Sequence, residues 1–489
     1  MKLAVSLKDS LRTVSLAGLA ACVCVVAAGC ASGGSGSPGG PATPGVTSVT
    51  MLITATNNAT IPIFKFNLEG LDLVRSDGTV VPVLPSAQLV ELGSINGAGR
   101  PLASVQIPQG TYTAAKLTYG PSTFVVIDRS GGPGQTDIGN YNIGTPGNQP
   151  AAVSLTLGTP LVVGGTSMGV LLDLDIPGST TYTPYLAGSS SIAPNGGHTT
   201  FNPVYSISAV TPAAQPTTLE DGLVEDVHGQ VTASSAGTLT MTSDSGAVLE
   251  FNASSSTVYA GTGGGGLPTV GSFVDVDAAL RQDGSMFATR VQTEGAGLQY
   301  NLVGQVLQYT EQQYLQNTGR EQQGPNLPNG TGFYSENVQL AVPPQFQIAW
   351  PRGAAPSGLP FTPSVTASNI VPGQNVATPV PTLEELTSND AIPVAPTVTL
   401  EPQTIDATVA SVSTVDGATT YQVNLFANDF LALFGPSTSV TVHVTPETHS
   451  LTSSSLASGS VARFRGFLFN DSGTLRLVAT EILDGVPAS

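Results

Sequence analysis

Cysteine is nearly missing from this chain. Its 489 residues include three, Cys22, Cys24 and Cys30, and none after position 30. Everything from Ala31 onward therefore lacks disulfides, thiolate zinc sites, iron–sulfur clusters and cysteine nucleophiles, and must be stabilised by packing. Charge is also scarce. Asp, Glu, Lys and Arg make up 10% of the residues, and 33 acidic side chains against 15 basic ones give a net charge of −18. A chain this acidic is repelled by phosphate backbones, which excludes nucleic acid as a partner. Histidine occurs four times, whereas a zinc site takes three or four protein ligands. His443 and His449 are separated by Pro446 and share no strand or helix period; His198 and His228 stand alone. Satisfied or surface histidines are the expectation, and no cofactor is implied. No hydrophobic run after residue 30 is long enough to span a membrane as a helix. Helix signals are nearly absent too, Leu383 to Asn389 being the one short candidate.

What is present begins with Lys2, Lys8 and Arg12, followed by an apolar or small stretch from Val14 to Val26. That run has the length of a signal-peptide core and is short for a membrane span. It ends in Ala27-Ala28-Gly29-Cys30, which resembles the lipobox of bacterial lipoproteins, with Ala27 where that family prefers Leu. The resemblance implies cleavage before Cys30, lipid on its thiol and acylation of the new N-terminus. Three acyl chains exceed the two signals that stable anchoring needs. Loss of the leader would remove Cys22 and Cys24 and make the chain two charges more negative. Ala31, where an Asp would signal inner-membrane retention, implies the outer membrane by analogy with lipoprotein sorting.

Ala31 to Pro44 is Gly, Ser, Pro and Ala with one Thr, the composition of a flexible tether. From Ser48 onward β-branched and aromatic residues recur in partly alternating runs: "SVTMLITAT", "FKFNLEGLDLV", "TVVPVL", "AAKLTYG" and "STFVVID". Asp77-Gly78 sits between two of them as a hairpin turn requires. The order "LEGLDLVRSDGTVVPVL", "LVELGSINGAGRPLASVQIPQGTYTAAKLTYG", "GVLLDLDIPGS" and "FNPVYSISAV" resembles domain of unknown function 4382, a family of exported bacterial lipoproteins. The resemblance covers about Thr47 to Thr211 and implies a β-sandwich. In "IPQGTY", Pro108 and Gly110 mark a turn and Tyr112 opens a strand that packs its ring inward. The Gly-rich stretch from Asp128 to Ala152 reads as a loop insertion.

The second half repeats. "EDVHGQVTAS" at Glu225 resembles "YNLVGQVLQY" at Tyr300, and "IDATVASVS" at Ile405 is a weaker third copy. Each is followed by a glycine among apolar residues, and the pairs Val231–Gly271, Val306–Gly373 and Val409–Gly459 lie 40, 67 and 50 positions apart. Strand, glycine and returning strands suit a small closed barrel. The units resemble domain of unknown function 5666, which implies barrels like the OB fold. Repetition is a signature of an array. The long middle copy holds "YTEQQYLQNTGREQQGPNLPNGTGFY" and the single tryptophan, Trp350; long insertions are often functional.

Three motifs invite chemistry. Gly165-Thr166-Ser167-Met168-Gly169 matches G-x-S-x-G, and Asp173, Asp175 and His198 follow in the order of a triad. A nucleophile elbow needs a helix after the serine, whereas "VLLDLDI" reads as a strand, so a Gly-rich hairpin turn is expected. Asp173 and Asp175 lie two apart and share a strand face, as do Asp275 and Asp277. The first pair is a weak calcium candidate, since calcium takes about 6–8 oxygens; a solvated face is the expectation for both. A glycosidase would need opposing carboxylates about a sugar groove, and nothing in the sequence places them. The third motif is aromatic. Tyr300, Tyr309, Tyr314, Phe333, Tyr334 and Trp350 gather in the inserted copy among Gln and Asn. Aromatic faces can stack on sugar rings while amides take the hydroxyls. Tyr309, Tyr314, Tyr334 and Trp350 are the candidate ligand-binding residues.

The expected architecture is all-β. Residues 1–29 form a lipoprotein signal peptide, 30–46 the lipidated Cys30 and tether, and 47–215 a β-sandwich. Three small OB-like barrels occupy 218–297, 298–404 with the long insertion, and 405–489, set in a row. The leading expectation of function is a non-catalytic, lipid-anchored cell-envelope protein, on the outer membrane, that binds a glycan or protein partner or serves as a surface scaffold. A polysaccharide hydrolase is the alternative. A third reading is an outer-membrane assembly partner that pairs through strand edges.

Overall fold

A computed structural model describes residues 45–485 apart from 58–59, 94, 96–98, 129–136, 146–148, 183–198, 213–221, 245, 262–265, 296, 299, 311–313, 318–320, 324–335, 352, 382–391 and 416–417. The signal peptide, Cys30, the tether, His198, Tyr334 and the helix candidate at 383–389 lie outside the described residues. What is described is strand almost throughout, with two short helical turns, Ile176–Ser179 and Phe430–Phe434.

The first module is a sandwich of two sheets. One runs in the order Val204–Ala209, Ser167–Asp175, Val46–Thr56, Arg100–Pro108, its middle pair being parallel. The other runs Asp137–Ile143, Ser122–Asp128, Ile63–Arg75, Gly110–Tyr119, Ala151–Val163, with Val80–Pro82 and Gln88–Glu91 also paired to Ile63–Arg75. Period-2 alternation explains the packing. Along Ile63–Arg75, Phe64, Phe66 and Leu68 and, after a register shift between Leu68 and Gly70, Leu71 and Leu73 are buried in one core with Leu102, Leu172 and Leu174 of the facing sheet. Tyr112 is fully buried and its hydroxyl donates to the Pro108 carbonyl at 2.7 Å, so the Pro-x-Gly-x-Tyr motif fastens its own corner. Gly78 takes φ +85° in the expected hairpin turn. The Gly-rich stretch read as a loop contributes the edge strand Asp137–Ile143. After Gly165 (φ +74°) a strand begins at Ser167. That turn carries the chain from one sheet to the other and so is no hairpin.

Three barrels follow, each a five-stranded sheet closed on itself with one short extra strand. Barrel 1 spans Leu223–Ser234 to Met286–Thr293, barrel 2 Tyr300–Thr310 to Val394–Leu400, and barrel 3 Gln403–Val415 to Thr474–Asp484. The three valine–glycine pairs are one recurring device. Gly271 donates to the Val231 carbonyl, Gly373 to Val306 and Gly459 to Val409, each at 2.8 Å, and each valine N–H returns a bond to the residue after the glycine. The glycines stand at φ +90°, +92° and +90°, where a Cβ is disfavoured. This common frame makes positions in the three barrels directly comparable.

The modules form a cluster, which corrects the expected row. Leu52, Leu171 and Val210 of the sandwich belong to barrel 1's core, and Gly169 lets Leu280 approach to where a Cβ would lie 2.2 Å from its Cδ2. Phe467, Phe469 and Val478 of barrel 3 complete the core of barrel 2. Barrel 3 also returns to the sandwich, where buried Asn428 donates to Thr60 Oγ1 at 2.7 Å.

Candidate functional site at the module junction

Where the four modules meet, a cleft is lined by charge. Arg100 comes from the sandwich, and Glu225, Asp226, Asp277 and Arg290 from barrel 1. Asn375 and Glu401 come from a strand of barrel 2 and the connection after that barrel, and Arg465 from barrel 3. The cleft holds about 50 Å³ of space. That is room for a few waters and far too little for a sugar ring.

Local structure sets each group. The strand Phe273–Leu280 is buried at all eight positions. Its Val274, Val276, Ala278 and Leu280 fill the barrel core, and the alternate residues Phe273, Asp275, Asp277 and Ala279 are covered from outside. Asp275 and Asp277 are 5% and 8% exposed, which overturns the expected solvated face. The reason is a second layer. Asn301 of barrel 2 donates to Asp275 Oδ2 at 3.3 Å, and Gln292 of barrel 1 donates to Thr399 of barrel 2 at 3.3 Å.

Each arginine here has a carboxylate. Arg100 meets Asp226 at 2.9 Å, Arg290 meets Asp277 at 3.1 Å, and Arg465 meets Glu225 at 2.6 Å. Two of these three pairs cross module boundaries. The Glu225-Asp226 dipeptide thus ties barrel 1 to barrel 3 and to the sandwich at once, with Asp226 at φ +57° and its N–H on Asp277 Oδ1 at 3.1 Å. His228 is enclosed, its Nδ1 2.7 Å from Asp244 and its Nε2 3.3 Å from Glu294, with its ring stacked on Phe273. Burial alone would strip its proton; the two carboxylates outweigh burial and hold its pKa well above the ordinary 6.5. Burial pushes Asp275 and Glu401 well above the ordinary carboxyl range, against the pull of His228 on the first and of Arg290 on the second. In the sequence His228 stands alone because its partners Asp244 and Glu294 are distant along the chain.

Barrel 3 carries the same positions with the charges exchanged. Counting from the shared glycine, Asp275 and Asp277 of barrel 1 correspond to Arg463 and Arg465. Their cross-strand neighbours, His228 and Arg290, correspond to Asp406 and Glu481. Arg463 grips Asp406 with two bonds, at 2.8 and 2.6 Å. Barrel 2 has Ala377 and Pro379 at the equivalent points. Beside Asp406, burial raises Asp429 to about 7, and the neighbouring Asp406 charge adds to the effect.

The residues singled out from sequence do not assemble into one site. Trp350 is 7% exposed and its ring centroid lies 4.6 Å from that of Phe467, so it fills the seam between barrels 2 and 3 and offers no face to a sugar. Tyr309 is half-buried against the same core, and Tyr314 pairs in the ladder with Thr310 and Gln339. Asp175 caps the turn Ile176–Ser179 by accepting from Gly178 at 2.9 Å, while Asp173 sits between Thr54 and Ser206 in the sheet. The calcium candidates therefore do separate jobs. Among the described residues no group of three or more His, Cys, Asp or Glu side chains is placed to hold a metal ion. His443 packs on Phe361, and burial, with Arg476 beside it, lowers its pKa to about 4.

Fold and junction together define an all-β protein in which a sandwich and three closed barrels share one polar centre. A family model described as Domain of unknown function (DUF5666) matches residues 228–292. The matched stretch runs from the buried histidine of barrel 1 to its last strand. No curated protein matches the chain.

Proposed function

We propose that the protein is a non-catalytic, lipid-anchored scaffold of the bacterial cell envelope, built on an N-terminal sandwich of the domain of unknown function 4382 kind. Cys30 carries the lipid, and the folded part holds its outer strand surfaces in fixed relation for an envelope protein. The observation that supports a scaffold is how the described polar and aromatic groups are used. The pairs Arg100–Asp226 and Arg465–Glu225, Trp350 and the Asn428–Thr60 bond lie at seams and fix one module against another. The aromatic group that would favour a glycan has its tryptophan packed in such a seam.

The test is palmitate labelling and fractionation of the native chain and of Cys30→Ser, with crosslinking in intact envelopes and a glycan array alongside. A lipid-labelled membrane protein that crosslinks to a discrete envelope protein is the expected result. Absence of label would remove the anchor. Retention on the array, or turnover of a polysaccharide, would replace the scaffold by a glycan-binding or hydrolytic role.

A further inference from the structure

The junction holds more carboxyl groups than its cations can match. Arg100, Arg290 and Arg465 are each taken, by Asp226, Asp277 and Glu225. Among the described residues neither Asp275 nor Glu401 has an ion-pair partner. Asp275 is fully enclosed, accepts one bond from Asn301, and its Oδ1 has no hydrogen-bond partner. That is the geometry of a carboxyl carrying a proton, since an ionised oxygen left bare in such a place is costly. Glu401 borders the cleft beside Arg290, and its backbone N–H donates to Asn375. Asp275 lies at the seam of barrels 1 and 2 with half-buried Glu401 nearby, and separation of that seam would return Asp275 to water and expose Glu401 further.

We propose that this seam is a proton-operated clamp: Asp275 and Glu401 take up protons when barrel 2 docks on barrel 1 and release them when the two part. The groups that face them come from every packed element. They are His228, Glu225, Asp226, Asp275, Asp277, Arg290 and Glu294 of barrel 1, Arg100 of the sandwich, and Arg465 with its cross-strand neighbour Glu481 of barrel 3. Carboxyl groups whose proton affinity rises on folding stabilise the docked state below about pH 4, and that contribution is lost as pH climbs through their raised values. His228 acts in the same direction from pH 6.5 upward. Asp429 has finished its change by about pH 7, and His443, lowered to about 4, opposes the trend only below 6.5. Above the range in which Asp429 and His443 change, the seam carboxyls and His228 are the groups left with raised values, and variants at the seam separate the two.

The experiment is hydrogen exchange of the full chain in detergent at pH 7 and 9, corrected for intrinsic rates, comparing the Glu401 and Asn375 amides with the core strand Phe273–Leu280. Each retained proton is worth about tenfold per pH unit. The expected result is at least tenfold loss of seam protection at pH 9, with the strand's protection less affected. Asp275→Asn and Glu401→Gln, which mimic the protonated form, should each restore part of it, and urea midpoints should flatten with pH to match. Glu401→Gln lies at the cleft and gives an answer even if Asp275→Asn does not fold. Seam protection independent of pH, or a Glu401→Gln variant with the wild-type pH profile, would overturn the clamp.

Discussion

Barrels 1 and 3 are built on one frame and carry opposite charges at four equivalent positions. Barrel 1 has a buried Asp-x-Asp strand and barrel 3 a buried Arg-x-Arg strand, each facing cross-strand partners of the opposite kind, basic in barrel 1 and acidic in barrel 3. The frame is specified by backbone: a glycine at φ near +90° and the reciprocal bonds to a valine. The charges are specified by what covers each barrel. Barrel 2, with Ala377 and Pro379 there, has no such pairs of its own. What differs between barrels 1 and 3 is therefore how completely each matches its charges. Arg463 and Asp406 satisfy one another with two bonds, while Asp275 has one amide and a bare oxygen.

The sharpest way to break this contrast is to remove one member from each barrel. Arg463→Ala leaves Asp406 buried beside Asp429, and should cost about 3–5 kcal/mol in urea unfolding. Asp275→Asn replaces an unmatched carboxyl by its neutral isostere and should cost less than about 1 kcal/mol at pH 7, or stabilise. Equal losses would show that the two strands are matched alike. Asp429 sharpens the comparison through pH. Its raised value stabilises the fold at low pH, and that contribution disappears between about pH 4 and 7. Asp429→Asn should remove a slope on the order of 4 kcal/mol at most over that range, read as the change in urea midpoint with pH.

Next in size is the shared glycine. Gly459→Ala meets open space and should cost about 1–2 kcal/mol for its backbone alone. At Gly373 a methyl would also lie 2.3 Å from Leu431 Cδ1, adding about 1–3 kcal/mol of overpacking. Thermal melts of the two variants should therefore differ, and identical melting points would mean that Leu431 moves aside freely. The smallest effect is expected at the half-buried pair Asp471–Arg476 of barrel 3, 2.8 Å apart. Asp471→Asn should change stability by less than about 1 kcal/mol, against the several expected for the buried pair in the same barrel.

Much of this frame is legible in the sequence. Alternation identifies the strands, Pro108-Gln109-Gly110-Thr111-Tyr112 identifies its own corner, and the valine–glycine spacing identifies all three barrels, including the weak third copy. The junction is legible only in part. Period 2 says that Asp275 and Asp277 share a face, but whether that face meets water depends on Asn301 and Thr399, which belong to another module. A signal was present all the same. Aligning the barrels on their glycines sets Asp-Val-Asp against Arg-Phe-Arg, and charges that invert together are a mark of partners rather than of solvent. Trp350 misled for the complementary reason. The insertion that precedes it is rich in Gln and Asn, but the residues it packs against, Phe467 and Phe469, come from barrel 3.

The bond between Asn428 and Thr60 joins residues 368 positions apart. A polypeptide made from its N-terminus therefore completes its sandwich strands long before the barrel that covers that side of them exists. Closure of the cluster is the last event of synthesis, and contacts of such long sequence separation form slowly. Any chain stopped short of barrel 3 would leave the seam residues of the other modules, Thr60, Glu225 and Trp350 among them, facing water together.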